Sequence, residues 1–135
     1  MSAFSWQVRV YWEDTDAGGI VYYANYLRFL ERARSEWLRS RGVSQRALAV
    51  DPGVIFSVVA LEAQYRRPAR LDDALVIGCE PRRDGGASLV FGQSVRRTHP
   101  DGELLLTATV RVACLDATSL KPRRLPEVLL RELGH

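Results

Sequence analysis

Trp6, Val8, Val10 and Trp12 alternate with Gln7, Arg9 and Tyr11, the period of a half-buried strand. From about Tyr22 to Arg41 the period becomes helical. Leu27, Leu30, Arg34, Trp37 and Leu38 share one side, and Tyr26, Phe29 and Ala33 widen it into a broad apolar face. Glu31–Arg34 and Glu36–Arg39 are spaced to pair on the outer side, and Gly42 is placed to end the helix. A loop containing Asp51-Pro52-Gly53 follows. Strand patterns then run over Val54–Tyr65, with Ile55, Val59, Leu61, Ala63 and Tyr65 on one side, and over the short Leu75–Cys79. The turn R-R-D-G-G leads to Ser88–Arg97, and the turn T-H-P-D-G-E leads to Leu104–Leu115. The tail carries prolines and a short amphipathic stretch, Leu125–Leu133.

This order, one strand, one long helix and four strands on short turns, predicts an α+β domain with an antiparallel sheet. Five strands have one long helix to cover one face, so a sheet curled around that helix satisfies both. The other face, or the edges, then needs a partner chain. With no linker or repeat, residues 1–135 read as a single domain.

Composition narrows the class. The chain is 47% hydrophobic and 26% charged, ordinary for a globular protein. Its longest strongly apolar stretch, Val54–Leu61, is too short to cross a bilayer, and no integral membrane segment is expected. The N-terminus lacks a cationic and then apolar leader, so the expected location is cytoplasmic. There Cys79 and Cys114, with no C-x-x-C spacing, read as buried free thiols. The net charge is +3, and of nineteen Lys/Arg only Lys121 is lysine. The planar guanidinium suits phosphate, but the cations are scattered and no basic, aromatic stripe suggests nucleic acid.

Candidate chemistry follows by elimination. The two histidines are His99, in a hairpin turn, and His135, the last residue; neither is placed for a triad. No G-x-S-x-G, H-E-x-x-H, phosphate-binding loop or dinucleotide fingerprint occurs, and no metal site or cofactor is expected. A carboxylate is therefore the candidate reactive group. Glu13, Asp14 and Asp16 stand together, and Asp16 is followed by Gly18-Gly19 and then a helix start. Glycines admit a ligand close to the backbone, and free N–H groups at a helix start can hold a developing oxyanion. A carboxylate there can attack a carbonyl or activate water. By itself this pattern suits a solvated acidic turn equally well.

The stretch Y-W-E-D-T-D-A-G-G-I-V-Y-Y-A-N-Y-L-R-F-L-E-R-A-R-S-E-W-L-R resembles the opening of the hotdog-fold acyl-CoA thioesterases of the 4-hydroxybenzoyl-CoA thioesterase type, and among them the Tol-Pal-associated bacterial branch. The match is dense over residues 8 to 42 and continues in order through Y-R-R-P-A-R-L-D-D-A-L and K-P-R-R-L-P. The resemblance implies a five-stranded antiparallel sheet wrapped around the long helix, and a homodimer or homotetramer with active sites at the subunit interface. It implies hydrolysis of an acyl-CoA, or of an acyl group on acyl carrier protein, without a cofactor. Asp16 matches the carboxylate that acts as nucleophile or general base, and the Tyr23 N–H matches the group that polarises the thioester carbonyl. Gly18 and Gly19 shape the turn, while Asp14 matches a structural carboxylate. Arg82 and Arg83 are candidates for the CoA phosphates, with Arg66, Arg67 and Arg70 as a second patch. The chain departs from the branch in V-Y-Y, with Tyr23 where His is usual, and in Trp12 where Tyr is common. The alternative function is a non-hydrolytic module of the same fold that binds acyl-CoA or acyl carrier protein as a scaffold.

Overall fold

A computed structural model describes residues 4–98 and 102–134; His99 and His135 lie outside the described residues. Strands β1 (Phe4–Arg9), β2 (Val54–Tyr65), β3 (Ala74–Asp84), β4 (Ser88–Arg97) and β5 (Leu104–Asp116) form one sheet in the order β1-β3-β4-β5-β2. All four pairings are antiparallel, as expected. Helix α1 (Tyr26–Ser40) packs on one face, with the short helices α2 (Gln45–Val50) and α3 (Glu127–Leu133) beside it. Tyr26, Phe29, Leu30, Ala33, Trp37 and Leu38 are its buried side, at the i, i+3, i+4 spacing of an amphipathic helix. They meet Leu75, Ile77, Leu89, Phe91, Val95 and Val110 from the sheet in one core.

The pattern misplaces several boundaries, each for a local reason. Helix α1 starts at Tyr26 and not Tyr22, preceded by a 3₁₀ turn over Tyr23–Asn25. The Tyr22 N–H donates to the Asp14 carbonyl at 2.9 Å, which holds that residue extended. Leu27, expected inside, is exposed. Helix α2 occupies ground expected to be loop; Ser44 starts it, its hydroxyl accepting the Ala47 N–H at 3.1 Å. Strand β3 runs on through Arg82 and Arg83, because the ladder to β4 continues to Asp84↔Ser88. The turn needs only residues 85 to 87, with Gly85 at φ +73°.

Strict alternation also fails in β2. A bulge between Val58 and Ala60 changes its phase. Phe56 and Val58 oppose Cys114 and Val112 on the helix-facing side, and beyond the bulge Leu61, Ala63 and Tyr65 oppose Val110, Ala108 and Leu106. Ile55 and Val59 therefore leave the face on which simple alternation puts them. Strand β2 also forms an edge of the sheet, with Val58, Val59, Leu61 and Tyr65 all substantially exposed.

Candidate active site

The acidic segment is built as two linked turns. Trp12–Asp14 forms a 3₁₀ turn, and the buried Asp14 carboxylate accepts the Tyr11 N–H at 2.8 Å. The Asp14 carbonyl accepts both the Tyr22 N–H and the Asn25 side-chain amide, each at 2.9 Å. Asn25 thus braces the acidic turn and does not cap α1. Asp14 is a strut, the structural role the resemblance implies for it.

Asp16 is exposed and sits in a tight reversal. Its N–H donates to the Ile20 carbonyl at 2.9 Å, and its carbonyl accepts the Gly19 N–H at 3.0 Å. Gly19 stands at φ +78°, a conformation that costs other residues about 1–2 kcal/mol. The Asp16 Oδ1 accepts the Gly18 N–H at 2.8 Å, which fixes the side chain against its own turn. A Cβ on Gly18 would lie 3.2 Å from that oxygen, so glycine is what lets the carboxylate fold back.

After the reversal the chain is anchored to the segment following β2. The Val21 N–H donates to the Ala69 carbonyl at 2.9 Å, and Ile20 bridges Arg70. The buried Tyr26 hydroxyl accepts the Ala69 N–H at 2.9 Å, and burial raises its pKa. Tyr23 opens the 3₁₀ turn that runs into α1. N–H groups in a first turn have no acceptor within the helix, and the Tyr23 N–H has none among the described residues. Its ring is exposed and packs at a tilt against Tyr22 and edge-on against Tyr65, at centroid distances of 4.9 and 6.3 Å. The Tyr65 hydroxyl donates to the Tyr23 carbonyl at 2.8 Å. Asp16, Gly18, Gly19 and Tyr23 are thus brought into one turn–helix unit. Tyr65 and Asn25 are braces that sequence reading missed, since nothing in their spacing announces a bond to this turn.

The arginine candidates do not gather there. Arg82 and Arg83 lie on opposite faces of β3. Arg82 is exposed beside Val90, Thr109 and Arg111, while Arg83 donates to the Gly85 and Gly134 carbonyls. The end of β3 beside the acidic turn is Ala74, opposite Arg9. Arg82 is thus about 26 Å away along the strand at ~3.3 Å per residue. Arg67 pairs with Glu103 at 3.3 Å, and only Arg70 of the second patch adjoins the turn. Among the described residues no group of His, Cys, Asp or Glu is arranged to hold a metal, and no helix is long and apolar enough to cross a membrane.

A cavity of about 200 Å³ opens elsewhere, between α1 and the first half of β2. Leu38, Phe56, Val58, Phe91 and Val112 give it apolar walls, and Glu31 and Arg34 give it charged ones of opposite sign.

A sheet of this order wrapped on one helix, with an acidic turn at the helix start, has clear relatives. The chain belongs to the thioesterase-like superfamily, whose family model matches residues 10–133. It is 47% identical over 129 residues to the acyl-CoA thioester hydrolase YbgC of Escherichia coli, covering 96% of this chain and 94% of that one. It is 41% identical to the acyl-CoA thioesterase YbgC of Haemophilus influenzae, covering 99% and 96%. Among solved structures, a variant 4-hydroxybenzoyl-CoA thioesterase complexed with 4-hydroxybenzoyl-CoA superposes with a TM-score of 0.88 at 26% identity, covering 99% of this chain and 100% of that one. The fold is the hotdog fold of these thioesterases.

Proposed function

We propose that the protein hydrolyses an acyl-CoA thioester to the free acid and coenzyme A, with Asp16 as the reactive carboxylate. The carrying observation is the pairing of Asp16, fixed by the Gly18 N–H, with an open N–H at Tyr23 where the chain enters α1. The names of the relatives at 47% and 41% identity support the same activity. The Tyr23 N–H polarises the thioester carbonyl and holds the oxyanion. Asp16 attacks that carbon and expels the thiolate, and water then opens the mixed anhydride; alternatively Asp16 takes a proton from the attacking water. Both routes consume one water and release one acid and one thiol.

Residues 1–135 act as one catalytic domain in this reading. The functional unit is a homodimer joined along the exposed β2 edge, which covers Val58, Val59 and Leu61, and a homotetramer can be built on it. Arg82, exposed and beside Arg111, is the better phosphate contact of the adjacent pair, and its distance from Asp16 requires that the contact be made across subunits. Coenzyme A is the carrier named for the relatives, and acyl carrier protein is a second carrier the same chemistry admits. Two buried free cysteines suit the reducing cytoplasm.

A free-thiol assay over a panel of acyl-CoAs tests the proposal. Thiol release with turnover is expected. Stoichiometric acyl-CoA binding without release would favour the scaffold reading instead.

A further inference from the structure

The cavity between α1 and β2 has a polar wall that the chemistry above does not use. Arg34 projects to it from α1, and one of its terminal nitrogens donates to Gln93 Oε1 at 3.0 Å. Gln93 is buried and donates in turn to the Leu30 carbonyl at 3.0 Å, so its amide is fixed and Arg34 is braced from behind. A guanidinium carries five N–H donors; Gln93 engages one, and among the described residues no carboxylate lies within ion-pair distance.

Two ionisable groups face Arg34. Glu31, about one turn earlier, lines the same cavity and favours the charged form of Arg34, but its exposed carboxylate accepts the Ser35 hydroxyl and makes no ion pair with the guanidinium. Cys79, on β3, is buried, which pushes its thiol up to about 12 although Arg34 pulls the other way. The thiol therefore stays neutral and supplies no counter-charge near neutral pH. Burial also lowers the pKa of Arg34 itself. A half-buried guanidinium with spare donors at a cavity wall is complementary to a carboxylate.

We propose that this cavity receives the acyl end of the substrate, and that Arg34 selects acyl groups bearing a carboxylate remote from the thioester. The proposal rests on the Asp16 reading and on the β2-joined dimer. Tyr65, which abuts Tyr23, ends β2, while Phe56 and Val58 lie in its first half. Antiparallel apposition of two β2 edges sets the Tyr65 end of one copy beside the first half of the other. A thioester at one protomer's Asp16 turn thereby directs its acyl group into its partner's cavity. The size is consistent: a dry cavity of about 150 Å³ holds benzene, so about 200 Å³ is room enough for a short acyl group.

The test compares kcat/KM for glutaryl-CoA with that for 5-methylhexanoyl-CoA, its shape-matched neutral counterpart, within each enzyme. Wild type is expected to prefer glutaryl-CoA by at least about tenfold, the scale of a charge-assisted hydrogen bond. Arg34→Met is expected to bring the ratio to one or below, and Arg34→Lys, which keeps charge but loses the fork, to lower it partway. Should Arg34→Met fail to fold, Arg34→Lys carries the comparison. A wild-type ratio at or below one, a ratio unchanged by substitution, or cleavage of neither compound overturns the proposal. Absence of thiol release from every acyl-CoA tried would instead bring down the hydrolase reading as well.

Discussion

The Tyr65 hydroxyl donates to the Tyr23 carbonyl at 2.8 Å, joining residues 42 apart in sequence. The bond ties the end of an edge strand to the turn whose N–H is assigned to the oxyanion. It therefore couples the position of that N–H to the strand edge proposed to join the dimer.

Removing the bond should affect catalysis more than folding. Tyr65 is exposed, so Tyr65→Phe is expected to cost less than about 1 kcal/mol of stability. The loosened Tyr23 turn should lower kcat several-fold while KM changes little. Steady-state kinetics beside thermal unfolding check this, and an unchanged kcat would show that the brace is not needed for the turn.

Gly18→Ala places a Cβ 3.2 Å from the Asp16 Oδ1 and disturbs little else. The carboxylate must shift by a few tenths of an ångström from its place on the Gly18 N–H. Small displacements of a reacting group are costly, so kcat should fall at least about tenfold with Tm nearly unchanged. Full activity would mean that Asp16 does not need this orientation.

Asp14 and Asp16 should separate cleanly. Asp14→Ala removes the charged acceptor for the Tyr11 N–H, the one buried side chain of an otherwise exposed turn. A hydrogen bond to a charged group contributes about 1.5–3 kcal/mol, or a fall in Tm of about 4–10 °C when it is lost. Calorimetry should find that loss, which a merely solvated carboxylate would not give.

Asp116 supplies a pH dependence with a definite sign. Its carboxylate accepts the Ser119 and Thr118 N–H groups and pairs with Arg123, and these hold its pKa at about 2. A depressed folded-state pKa gives stability that is complete above the unfolded-state value, near 4, and lost as pH falls through about 2. Wild type should therefore lose its advantage over Asp116→Asn as the pH is lowered through that window. A Tm difference that stays constant from about pH 5 to about pH 2 would contradict it.

The order of elements was legible because burial imposes its period on the residues. Phe29–Ala33–Trp37, all buried, show this in α1; in β1 only Phe4 and Val8 are half-buried, and Trp6 is exposed. What was not legible depends on partners distant in sequence. The start of α1 is set by the hold of the Asp14 carbonyl on Tyr22 and Asn25, and periodicity carries no trace of such a bond. The β2 bulge is set by register against β5, so alternation alone misassigned Ile55 and Val59. Arg82 and Arg83 look like one patch because they are adjacent, yet adjacency in a strand means opposite faces. The turn that holds Asp16 and its glycines was readable because it is local, whereas the bond from Tyr65 to Tyr23 was not. Arg34 was placed on the apolar side by its spacing and also expected to pair with Glu31; its side chain does face inward, but it bonds Gln93 instead.

The central claim is that Asp16 carries the chemistry. The most direct measurement is the rate of thiol release by Asp16→Asn, at saturating acyl-CoA, with the fold checked by its thermal transition. The amide keeps the acceptor for the Gly18 N–H but is neither a nucleophile nor a base. A fall in kcat of at least about a hundredfold with a folded protein is the expected result. Near-normal turnover in a folded Asp16→Asn variant would contradict the assignment.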